Sequence, residues 1–102
     1  MSVHSPSEIT ALAAQAAANE FLNDRLPDRF TADSPERISG REVWRVPVIL
    51  AYPFVGSVGR VGEVVINAET EQVVSFTPLD EMKRAAQELY EAHRAEIEAP
   101  FS

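Results

Sequence analysis

The stretch GSVGRVG, Gly56–Gly62, holds three of the chain's four glycines at a spacing of three residues. Two readings compete for it. A phosphate-binding loop follows a strand and opens a helix, whose first amides and dipole hold the anion. A strand connection instead uses glycine for positive φ or for a bulge. The residues that follow, EVVINA (Glu63–Ala68), form a strand pattern and not a helix. No Gly-Lys-Ser/Thr follows, glycines at 56, 59 and 62 do not make G-x-G-x-x-G, and Arg60 is the one nearby cation. The stretch therefore reads as the connector between two strands.

Working outward, REVWRVPVILAYPF (Arg41–Phe54) is the strongest strand signal, spanning about residues 42–53. Trp44, Val46, Val48, Leu50 and Tyr52 alternate on one face, with Trp44 as the expected core anchor. The other face carries Val43, Arg45, Pro47, Ile49 and Ala51 and is more mixed. Proline has no ladder donor, so Pro47 predicts a sheet edge or a bulge. On the other side, RVGEVVINAETEQVVSF reads as a hairpin, with strands near 61–67 and 72–77 joined by AETE.

Helices flank these strands. SPSE (Ser5–Glu8) is a start signal, with Ser5 as cap, Pro6 in the first turn and Glu8 at the capping-box position. The helix is expected over about residues 6–25, because Pro27 disfavours helical backbone at Leu26. Ile9, Leu12, Ala13 and Ala16 make its stripe, with Phe21 and Leu22 near the end. A second helix is expected over about 78–98, capped by Thr77, with Pro78 first and Asp80 completing the box. Met82, Ala86, Leu89 and His93 lie along its apolar stripe. Between the first helix and the tryptophan strand, Pro27–Gly40 is a turn-rich connector anchored by Phe30 and Ile38, with room for a short strand or a single turn. The expected fold is one α+β domain over residues 1–102: helix, three-stranded antiparallel meander, helix, with both helices on one face of the sheet.

Composition narrows function by exclusion. A chain of 102 residues argues for one domain. It has no cysteine, hence no disulfide, thiolate metal site or cysteine nucleophile. Nine basic and sixteen acidic residues give a net charge of −7, which disfavours nucleic acid and anionic membranes as direct partners. The N-terminal alanine run is interrupted by Gln15 and bounded by Glu8 and Glu20, unlike a signal peptide, so a cytoplasmic location is expected.

No residue set announces catalysis. His93 and Glu96 share an i,i+3 spacing, but Tyr90 stands where a Glu-x-x-His metal motif needs its glutamate. The pairs Glu69/Glu71, Asp80/Glu81 and Glu88/Glu91 fall on a turn or on solvated helix faces. No enzyme activity, cofactor or metal is expected. The remaining anomaly is the apolar connector: Pro53, Phe54, Val55 and Val58 surround the first glycines, where a loop tip is usually polar. It folds back over the core, extends the strands, or packs on another chain. With Pro47 these four residues form the candidate interface of a non-catalytic, homodimeric interaction module.

VGEVVINAETEQVVSF, with its Asn67-Ala68-x-Thr70 turn, resembles the C-terminal hairpin of PepSY-like domains, although Glu71 stands where that family's turn has glycine. The preceding helix and tryptophan strand are similar to the same cystatin-like layout, over about Ser5–Phe76. The resemblance implies a regulatory partner of a peptidase. The acidic charge is also compatible with an antitoxin-like neutraliser of a basic partner. A pocket between helices and sheet, binding a small ligand, is the third alternative.

Overall fold

A computed structural model of the chain describes residues 9–98. They form α1 (Ala11–Arg25), β1 (Phe30–Ala32), β2 (Glu36–Ile38), β3 (Val43–Tyr52), β4 (Gly56–Asn67), β5 (Val73–Phe76), α2 (Leu79–Ala92) and α3 (Arg94–Glu98). The fold is α+β with one antiparallel sheet in the order β1-β3-β4-β5, and β2 also pairs with β3. The sheet thus has five strands and not three. The connector after α1 supplies both additions, laid end to end along one edge of β3.

That arrangement overturns the edge position read from Pro47. β3 is an interior strand, with β4 on one side and β1 and β2 on the other. β1 ends opposite Val48 and β2 begins opposite Arg45, so Pro47 faces the gap between them. Its carbonyl accepts from the Asp33 N–H at 2.8 Å inside that gap. Its ring nitrogen faces the same gap, where no ladder acceptor waits. Across β3–β4, Pro47 lies opposite Glu63, whose N–H and C=O are turned away to Thr77. The missing donor therefore costs no hydrogen bond.

The glycines are likewise not a loop. The chain reverses at Pro53–Val55, and β4 begins at Gly56 (φ 86°). Gly59 and Gly62 sit inside the strand because α2 crosses there. A Cβ on Gly59 would lie 2.8 Å from Leu89 Cδ2, and one on Gly62 would lie 2.8 Å from Met82 Cγ and 2.9 Å from Thr77 Cβ. Three strand residues at ~3.3 Å span about 10 Å, and the seven helical residues from Met82 to Leu89 at ~1.5 Å span about the same. An odd spacing normally points to opposite faces. A bulge restores the match: Val48 pairs with Gly62 and Ile49 with Arg60, leaving Val61 as the extra residue. Gly59 then pairs with Leu50, two residues from Val48, on the same face.

The helix ends, apart from the C-terminal end of α1, also differ from expectation. Thr10 caps α1, its Oγ1 accepting from the Ala13 N–H at 3.1 Å; Ser5, Pro6 and Glu8 lie outside the described residues. The helix stops at Arg25, with Leu26 extended before Pro27 as proline demands. Its buried residues are Ala14, Ala18, Phe21 and Leu22, whereas Leu12 is 76 % exposed. Alanines on every side leave the sequence without a phase, and Phe21 and Leu22 set it. Thr77 does not cap α2. Its hydroxyl accepts from the Glu63 N–H and its N–H donates to the Glu63 carbonyl, both at 3.0 Å, closing β4 instead. Pro78 is the N-cap, without a side-chain hydrogen bond, and Asp80 and Glu81 complement the first-turn dipole. The expected single C-terminal helix breaks at His93 (φ −115°, ψ 19°), and the short α3 beyond it buries Ile97.

Leu22, Val46, Val48, Val64, Ile66 and Met82 are the largest fully buried side chains, so both long helices and both long strands share one core. Trp44 is half-buried at its margin, its Nε1 donating to the Ile9 carbonyl at 3.3 Å. In the β4–β5 turn, Asn67 Oδ1 accepts from the Glu69 and Thr70 amides, and Glu71 takes φ 65°. A non-glycine residue is strained there. Glu71→Gly is expected to raise unfolding free energy by about 0.5–1 kcal/mol, read as a rise in the urea midpoint.

Candidate interaction surface

The described residues contain no cluster of three or more His, Asp or Glu able to hold a metal. His93 Nδ1 lies 3.0 Å from Glu96 Oε1 on the surface, a local i,i+3 pair. Tyr90 bonds to Glu98, and that bond, with some burial, pushes its hydroxyl pKa above the usual tyrosine value. The Arg94 guanidinium beside Tyr90, Glu91 and Glu98 is held above its ordinary value by the same cluster. These are surface contacts of one helical end. No helix among the described residues is long and apolar enough to cross a membrane.

The apolar connector divides in the structure. Pro53, Phe54 and Val55 form the turn between β3 and β4, with Phe54 75 % exposed. Val58 turns the other way and packs against the core. Pro47 lies in mid-sheet, five residues before the end of β3. The five residues therefore do not form one patch.

A second apolar surface is built from the residues between the buried ones. In β3, Val46, Val48 and Leu50 are buried, while Val43, Arg45, Pro47, Ile49 and Ala51 between them are half-exposed. Val65 lies between buried Val64 and Ile66 in β4. Val43, Val65, Ile38 and the 56 %-exposed Val74 line a shallow groove of about 350 Å³, edged by Arg41, Arg45 and Glu63. Arg45 pairs with Glu36 at 3.1 Å and Arg60 with Glu63 at 2.8 Å. The groove was half legible: Val43 and Arg45 share the mixed face of the tryptophan strand. Ile38, Val65 and Val74 join it only through strand register. β5 also bulges at Val74, because Val65 pairs with Ser75 and Ile66 with Val73.

Comparison of the chain with protein-family models, with curated proteins and with solved structures found no match.

Proposed function

We propose that the protein is a non-catalytic interaction module that pairs with a second copy of itself through the uncovered face of its sheet. In this reading both long helices lie on the face of Val46, Val48 and Leu50, and the opposite face is left for the partner. The observation that carries it is the groove of Ile38, Val43, Val65 and Val74 on that opposite face. A contiguous exposed apolar surface marks a contact site.

Charge and size favour a second copy. The chain carries −7 overall, yet its groove is edged by two arginines and one glutamate. Monomer repulsion is therefore low at this face, and the groove offers no net negative charge to a basic partner. The 32 strand residues of the sheet, at ~3.3 Å of rise and ~4.8 Å of strand spacing, give a footprint of about 500 Å², which the Phe54 turn extends towards the ~800 Å² per partner of ordinary stable interfaces. With strands antiparallel across the interface, the Phe54 turn of each copy reaches the groove of the other.

Sedimentation equilibrium tests this. The wild-type chain is expected to be a dimer at micromolar concentration, and Val74→Asp and Phe54→Asp each to weaken dimerisation at least about tenfold. Both positions are exposed, so folding should survive either change. A wild-type chain that stays monomeric at millimolar concentration overturns the proposal.

A further inference from the structure

A second cleft opens where α2 passes over the β1–β3 edge. Its floor is apolar, formed by the buried Phe30, Leu50 and Ala86. One wall is aromatic: the rings of Tyr52 and Tyr90 stand 6.4 Å apart, tilted by 43°. Two cations edge it, Arg29 from the α1–β1 link and Lys83 from α2. Among the described residues neither makes a salt bridge, in a chain with sixteen acidic residues. The Arg29 guanidinium is held over the Tyr52 ring at 5.1 Å, which limits its freedom before any ligand arrives. The acids that flank Tyr90 on the helical side have other partners: Glu91 accepts from Gln87 Nε2 at 3.0 Å, and Glu98 bonds to Tyr90 and lies 3.5 Å from Arg94.

We infer that this cleft binds a small organic carboxylate with an aromatic or short aliphatic body. The body lies on Phe30 and Leu50 against the two tyrosine rings, and the carboxylate sits between Arg29 and Lys83. A guanidinium fork matches a carboxylate in two parallel hydrogen bonds. No glycine lines the cleft, so it lacks the backbone cradle that phosphates use. Its volume, about 360 Å³, falls at the low end of small-ligand sites, ~300–1,000 Å³. The cleft shares no residue with the self-association groove, so either proposal stands or falls alone.

An amide NMR titration of the full chain with naphthoate, and with the uncharged naphthamide, tests it. Naphthoate is expected to shift the amides of Arg29, Tyr52, Lys83, Ala86 and Tyr90. Naphthamide, and naphthoate with the Arg29→Gln/Lys83→Gln variant, should bind at least about tenfold more weakly. Both side chains are exposed, so the variant retains the fold. Equal binding of naphthamide, equal binding by the variant, or no shift at these residues with ~10 mM naphthoate overturns the inference.

Discussion

Gly62→Val is expected to lower the unfolding free energy by about 3 kcal/mol, at the upper end of overpacking costs. Even the first added carbon lands 2.8 Å from Met82 Cγ and 2.9 Å from Thr77 Cβ. Thr77 cannot retreat cheaply, because its hydroxyl and its N–H are both tied to Glu63. Met82 is fully buried and has little free volume to enter. Urea denaturation reads the loss, and a double-mutant cycle identifies its cause. Met82→Ala alone should cost about 2–5 kcal/mol through its cavity. In the Gly62→Val background it should cost at least ~1 kcal/mol less, because the valine fills part of that cavity. Strict additivity would mean that valine is resisted by something other than α2.

Leu22→Ala is expected to cost about 2–5 kcal/mol, whereas Leu12→Ala should change stability by less than ~0.5 kcal/mol. Leu22 is fully buried and Leu12 is 76 % exposed, although both are leucines of one alanine-rich helix. The pair separates the observed phase of α1 from the stripe through Ile9, Leu12, Ala13 and Ala16. Comparable losses at the two positions would place the helix in the other phase.

What could be read in advance follows from where the signal is local. Alternation in Val46, Val48 and Leu50 is a property of the strand itself, and it marks the buried row correctly. Pro27 ends α1 through a clash with its own neighbour, and that end is also where the sequence puts it. Pro47 is different. Its missing donor has two equivalent remedies, an edge or a gap in the neighbouring strand, and only long-range pairing selects the gap. Thr77 likewise has the form of a cap, but Glu63 claims its hydroxyl from fourteen residues away. The glycines at 59 and 62 announce that something needs room. The partner that needs it, α2, becomes visible only with the bulge at Val61.

The candidate surface shows the same division. The exposed Phe54 is an anomaly in its own turn and is legible there. Val74 is a valine in a valine-rich strand until register brings it beside Val65 and Val43. The cleft of Arg29 and Lys83 joins residues fifty-four positions apart, with no local pattern to connect them.

The proposed self-association through the sheet face of Val43, Val65 and Val74 is tested most directly by isotope-filtered NMR on a mixture of labelled and unlabelled chains. The prediction is intermolecular contacts among the methyl groups of Val43, Ile49, Val65 and Val74 and the Phe54 ring. Intermolecular contacts confined to α1 or α2, or none at concentrations where the chain is fully folded, would contradict it.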